Sequence, residues 1–85
     1  MYKIVLSDKA EKSLNKLDKY VKTKILKYLK EKIEKNPTDY GKPLTENLSG
    51  LWRYRVGDYR IITKIINEEL TVLVVEVGHR REVYK

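Results

Sequence analysis

Gly57-Asp58 sits between two stretches of alternating side chains, Leu51–Val56 and Tyr59–Ile66. A glycine-led pair between two alternating runs predicts a two-residue β-hairpin turn of type II′ or I′. Such a turn fixes register as well as topology. It sets Val56 opposite Tyr59, Arg55 opposite Arg60, Tyr54 opposite Ile61 and Arg53 opposite Ile62. Successive side chains in a strand point to opposite faces. Arg53, Arg55 and Arg60 therefore share one face. Trp52, Tyr54, Val56, Tyr59 and Ile61 share the other, which reads as the core face.

The rest of the chain supplies partners for this hairpin. Tyr2–Leu6 reads as a short strand, and Ser7 or Asp8 as the cap of a first helix, with Asp8-Lys9-Ala10-Glu11 fitting a capping box. Ala10, Leu14 and Leu17 give that helix one narrow apolar stripe. Asp18 reads as the cap of a longer helix carrying Val21, Ile25, Tyr28, Leu29 and Ile33, stopped by Asn36-Pro37. Residues 37–50 form a long connection, which Leu44 and Leu48 pin to the core. After the hairpin, Asn67–Glu69 reads as a second tight turn and Leu70–Val77 as a nearly all-apolar central strand that Gly78 ends. The expected architecture is α+β, in the order β-α-α-β-β-β. A helical hairpin packs on one face of a mostly antiparallel four-stranded sheet. The other face of the sheet has no second layer in the sequence.

With 85 residues, one domain spanning 1–85 is expected, and its core is thin. There is no cysteine and only one histidine, His79. That excludes disulfides, thiol nucleophiles, zinc sites with cysteine ligands and an all-histidine metal site within one chain. The longest apolar run, Val72–Val75, is far short of the ~20 residues of a membrane span. Asp8 follows the start too closely for a signal peptide, so a cytoplasmic protein without membrane association is expected. The formal net charge is +7, which points to an anionic partner, nucleic acid or an acidic protein. Eleven of the 14 lysines lie within residues 1–40, whereas all five arginines lie within 53–81. Lysines mixed with glutamates at helical spacing make a solvated face. Arginines on a strand suit bidentate recognition of phosphate.

Arg55 directly opposite Arg60 is the strongest pointer to function. Like charges across an antiparallel pair destabilise by a few tenths to ~1 kcal/mol. A sheet face that merely meets water has no need of such a pair. Ile66 opposite Leu70 would bring Glu76 near Arg60 and relieve part of the repulsion. His79, Arg80 and Arg81 follow the last strand and extend the basic face. Several guanidiniums on rigid strands can hold a phosphodiester and stabilise added negative charge on its oxygens. For His79 three roles stay open: a neutral base, a contact to ribose or nucleobase, and a structural one. Tyr84 can pack over the helices, stack on a nucleobase or place its hydroxyl near a scissile phosphate.

The stretch LSGLWRYRVGDYRII at 48–62, followed by VGHRREVY at 77–84, resembles the RelE branch of the RelE/ParE toxin superfamily. The resemblance extends to length, element order and the loop before Leu48. It implies the toxin of a type II toxin–antitoxin pair, a ribosome-dependent endoribonuclease that cuts mRNA in the ribosomal A site. The ribose 2′-hydroxyl attacks the adjacent phosphate, leaving a 2′,3′-cyclic phosphate and a free 5′-hydroxyl, with no metal and no cofactor. The family's basic residues match Arg53 and Arg55 on one strand and Arg60 on the next. Its arginine after the last strand matches Arg80, and its terminal-region tyrosine matches Tyr84.

Two departures bear on the chemistry. Some relatives carry lysines where Arg53 and Arg55 stand, and arginine is far poorer at giving up a proton. Another branch has a glutamate before the Pro-Leu of the long loop, where this chain has Lys42. The general base is then left to His79 or Glu76, with Arg80 as acid or neutraliser of the leaving oxygen and Arg81 accessory. The resemblance also implies a small acidic antitoxin, bound over the helices or the arginine face in a hetero-oligomer. The alternative within the superfamily is a ParE-like, non-catalytic toxin that inhibits DNA gyrase.

Overall fold

The turn at residues 57–58 is type II′. Gly57 has φ +59° while Asp58 stays out of the positive-φ region, and type I′ would need both residues there. The flanking strands pair in the expected register, Val56↔Tyr59, Arg55↔Arg60, Tyr54↔Ile61 and Arg53↔Ile62. The computed structural model describes residues 1–44 and 50–79.

The described elements are β1 (Lys3–Leu6), α1 (Asp8–Asn15), α2 (Lys19–Tyr28), β2 (Lys42–Pro43), β3 (Leu51–Val56), β4 (Tyr59–Ile66) and β5 (Thr71–His79). They form an α+β fold on a sheet ordered β1-β5-β4-β3-β2. All neighbours are antiparallel except β1 and β5. The sheet has five strands where four were expected. The extra one, β2, is two residues long and carries a proline, too short and atypical to register as a strand in sequence.

Both helices are capped by residues the sequence offers, the first by Ser7 and not Asp8, so Asp8-Lys9-Ala10-Glu11 is the first helical turn and not a capping box. Ser7 Oγ accepts from the Ala10 N–H at 3.0 Å, and Asp18 Oδ1 from the Tyr20 N–H at 2.8 Å. The second helix changes winding before it ends. Leu29–Ile33 is a π turn, closed by the Glu34 N–H donating to the Leu29 carbonyl at 2.9 Å. In an α-helix each i+4 step rotates a side chain by about 40°, which would carry Ile33 away from the sheet. The wider π turn winds fewer degrees per residue and brings it back, so Ile25, Leu29 and Ile33 are all buried.

Helix α1 packs on β5 and α2 on β3. Ala10, Leu14, Ile25, Leu29 and Ile33 meet Tyr54, Val56, Ile61, Ile65, Val72, Val74 and Val77 in one cluster, with Trp52 and Tyr59 partly buried against it. Each large side chain fully buried there contributes roughly 1.5–3 kcal/mol. The assigned core face of the hairpin is therefore the observed one.

The last strand departs from expectation at three points. Leu70 is outside it, exposed and left-handed at φ +48°, because a 3-10 turn over Asn67–Glu69 delivers the chain one residue later. Gly78 does not end it, since pairing with β4 runs on to Tyr59↔His79. Between these, a β-bulge at Ile62/Thr63 of the β4–β5 ladder leaves Val75 as the extra residue, so that Thr63 faces Val74 and Ile62 faces Glu76. Ser7 fills the irregularity by donating its hydroxyl to the Val75 carbonyl at 2.8 Å. Late entry and bulge each add one residue, so Arg60 faces Gly78 and not Glu76.

Candidate functional site

The face of the sheet away from the helices carries two cross-strand rows. One runs Lys42–Arg53–Ile62–Glu76 and the other Arg55–Arg60–Gly78. Ile62 is 9% exposed and stands outside the helix-side cluster, so it forms an apolar floor between Arg53 and Glu76. Arg60 is only 8% exposed, while Arg55 across from it is exposed and Arg53 half-buried. Gly41, Lys42, Arg53, Arg55 and Arg60 line a recess of about 230 Å³. Among the described residues four cations and no carboxylate line it, a lining suited to an anion.

The connection from Pro37 to Leu44 is tied down to complete this recess. Tyr54 Oη donates to the Pro37 carbonyl at 2.5 Å, Trp52 Nε1 to the Tyr40 carbonyl at 2.6 Å, and the Leu44 N–H to the Leu51 carbonyl at 3.2 Å. The Tyr40 and Tyr54 rings both meet Tyr28 edge-on, with centroids 6.2 and 6.3 Å apart. Burial raises the pKa of the Tyr54 phenol far above its ordinary value, and that of Tyr28 less strongly. Tyr54 thus stays a neutral donor at any physiological pH. Gly41 has φ +68°, and a Cβ there would lie 2.1 Å from the Arg53 carbonyl. Only glycine lets the chain press this closely against β3 and set Lys42 beside Arg53.

The structure therefore brings Arg53, Arg55 and Arg60 together as the hairpin register predicts, and adds Lys42 and Gly41. Gly41 was not singled out in the sequence, and Lys42 only as the residue standing where another branch has a glutamate; GKP after a long loop, with a glycine before a basic residue, was the available signal. Glu76 lies on the arginine face but one row away from the expected position. It pairs with Lys9 at 3.5 Å and does not line the recess.

His79 is on the opposite face. It pairs with Tyr59, their rings meeting edge-on at 5.7 Å, and it lines a separate recess of about 510 Å³ with Ser13, Lys16 and Leu17. The sheet stands between this imidazole and the arginines. Gly78 is still part of the ladder, so His79 takes its side by strand alternation and not by following the tail. Arg80, Arg81, Tyr84 and Leu48 lie outside the described residues. Among the described residues no cluster of three or more His, Asp or Glu side chains could hold a metal ion. No helix there is long and apolar enough to cross a membrane.

Residues 4–84 match the family described as ParE toxin of type II toxin–antitoxin system, parDE. The chain belongs to this family. It is thereby a member of the RelE/ParE superfamily and the toxin of a type II toxin–antitoxin system. Toxin RelG of Mycobacterium tuberculosis is 29% identical over 84 residues, covering 99% of this chain and 97% of that protein. The toxin–antitoxin complex RelBE2 of M. tuberculosis contains a chain that superimposes with a TM-score of 0.84 at 29% identity, covering 93% of this chain and 91% of that one. A double arginine-to-alanine mutant of E. coli toxin RelE in the free state superimposes with a TM-score of 0.80 at 25% identity, over 98% and 90% of the two chains.

Proposed function

We propose that this toxin is a metal-independent endoribonuclease that cuts mRNA in the ribosomal A site and so stops translation in the cytoplasm. The observation that carries this reading is the recess in which Lys42, Arg53, Arg55 and Arg60 converge. A phosphodiester seated there gains negative charge as the ribose 2′-hydroxyl attacks phosphorus. Cations fixed on strands stabilise that charge without having to reorganise. Removing one such contact costs about 10²–10³ in rate. Arg80 and Tyr84 are assigned to the same site through the motif at 77–84, on the leaving oxygen and the nucleobase or scissile phosphate respectively, with Arg81 in support.

A basic toxin of this family implies a cognate antitoxin. We assign it a small acidic chain that orders on binding and neutralises the +7 charge. The RelBE2 complex of the M. tuberculosis relative supports such a pairing.

The test is primer extension on a defined mRNA in a purified translation system, with and without ribosomes. Codon-phased cuts that need ribosomes support the reading. Cuts on free RNA would make the protein a ribosome-independent ribonuclease. The match to the ParE toxin family over residues 4–84 favours one second reading, a non-catalytic inhibitor of DNA gyrase. Intact mRNA with inhibited gyrase supercoiling would establish it.

A further inference from the structure

We infer that Tyr40 is a positioning residue that holds Lys42 in the basic recess, and that Lys32, beyond the end of α2, grips Tyr40 in place. This rests on the cleavage reading above and names what keeps the recess in shape before RNA arrives. In an extended strand, residues two apart share a face. Tyr40 and Lys42 do not. Tyr40 packs against the helix-side cluster, whereas Lys42 lines the recess on the arginine face. The left-handed Gly41 between them, at φ +68°, breaks the alternation. The chain thus crosses from one side of the sheet to the other at Gly41, and Tyr40 is the last residue anchored on the helix side.

That anchor works against a repulsion. Lys42 lies directly opposite Arg53 in the β2–β3 ladder, and like charges so placed destabilise. Without an anion they push the connection off β3, and β2 opposes them with only two residues of strand. Tyr40 is held at both ends. Its carbonyl accepts from Trp52 Nε1 at 2.6 Å, and its ring meets the Tyr28 ring edge-on at 6.2 Å. The Lys32 ammonium stands 5.4 Å from the Tyr40 ring centroid and 5.9 Å from that of Tyr28, inside the ~6 Å range of cation–π attraction. Lys32 belongs to the π turn Leu29–Ile33, so the change of winding that buries Ile33 also presents this ammonium to the rings. Among the lysines of the helical hairpin, it is one with work beyond a solvated face. Cations held in place before the reaction stabilise developing charge without having to reorganise, which is why the grip should be felt in the rate.

The test uses the full toxin on programmed ribosomes under single-turnover conditions, with maximum rate and half-saturating ribosome concentration read separately and circular dichroism on each variant. Tyr40→Ala should lower the maximum rate about 10-fold, less than the 10²–10³ of a contact removed outright, and change half-saturation only a few-fold. Tyr40→Phe, which keeps the ring, should restore the rate. Lys32→Met should lower it about 2- to 5-fold, and Lys32→Arg should restore it. Lys30→Met removes the same charge from a side chain that faces the groove beside Ile4 and Leu6, and should cut at the native rate. In a Lys42→Met background, Tyr40→Ala and Lys32→Met should each cost no more than about two-fold further, because residues acting through one contact are not additive.

A native rate in folded Tyr40→Ala would overturn the inference. Losses that recur in full in the Lys42→Met background would overturn it as well, since Tyr40 would then serve the fold as a whole. Should Tyr40→Ala fail to fold, Lys32→Met decides, and a native rate there, or a loss that Lys30→Met matches, sinks the proposal. Absence of cutting by the native toxin would instead refute ribosomal cleavage itself, and the inference would fall with it.

Discussion

Arg55 and Arg60 lie directly opposite one another across the β3–β4 hairpin, the first exposed and the second only 8% exposed. Two cations at cross-strand distance oppose folding and favour an anion. Arg55→Thr removes the repulsion and suits a strand, so unfolding stability should rise by a few tenths to about 1 kcal/mol. Ribosomal cleavage should fall about 10²-fold in the same variant. Urea unfolding beside the primer-extension assay measures both. Lower stability with unchanged cleavage would mean that the pair serves the fold.

Arg60 tests the same face from its buried side. Arg60→Ala should abolish growth arrest and lower cleavage by about 10²–10³. Arg60→Lys preserves the charge and much of the packed stem but loses the planar fork, and should fall between. Circular dichroism on both variants separates a lost contact from a lost fold. Full toxicity in Arg60→Ala would remove the arginine recess from the mechanism.

Two glycines with similar backbone angles should respond differently. Gly41 at φ +68° has the Arg53 carbonyl where a Cβ would go, whereas Gly57 at φ +59° has open space. Gly41→Ala should cost about 1–3 kcal/mol in backbone strain and displaced contacts, and should reduce cleavage by moving Lys42. Gly57→Asn should cost less and leave cleavage near native, because asparagine tolerates positive φ. Thermal unfolding and cleavage, measured on both variants, give the comparison.

The Tyr54 phenol makes stability fall at alkaline pH. Its pKa is raised in the folded protein, chiefly by burial. The unfolded chain therefore ionises first, near the ordinary tyrosine value of about 10. The folded state binds more protons above that value, so its stability is fully present below pH ~10 and is lost as pH climbs toward the folded pKa. Tyr54→Phe should flatten this decline. At neutral pH it should cost about 1 kcal/mol, since the Pro37 carbonyl loses its donor. Urea midpoints between pH 8 and pH 11 test both statements.

His79→Ala should leave cleavage within a few-fold of native, because the imidazole stands on the helix side against Tyr59. Its loss should appear in thermal stability instead. A large drop in cleavage with an intact fold would mean that His79 reaches the phosphate by another route.

The hairpin was legible in the sequence because a two-residue turn leaves no freedom in register. From Arg55↔Arg60 the three-arginine face and the core face both follow. Lys42 and Gly41 were not legible as site residues. Their placement depends on Trp52, Tyr54 and Leu51 holding a connection that has only two residues of strand, and no periodicity marks such contacts. Glu76 was misplaced by two features of the last ladder, and His79 because pairing runs on past Gly78 to Tyr59↔His79. Entry into β5 at Thr71 and the extra residue Val75 are consequences of pairing, and the run of valines around them carries no mark of either.

That extra residue gives β5 a reading frame. Without Val75 standing outside the ladder, the pairing at its N-terminal end would continue unbroken. Glu76 would then fall opposite Ile61, a carboxylate in the apolar cluster, and Val77 would fall opposite Arg60. Substitutions along this strand exchange one side chain for another, but drawing Val75 into the ladder with no residue lost would turn the strand inside out from Glu76 onward. A relative whose ladder lacks the bulge should therefore have a β5 one residue shorter, with the same side chains still facing Ile61 and Arg60.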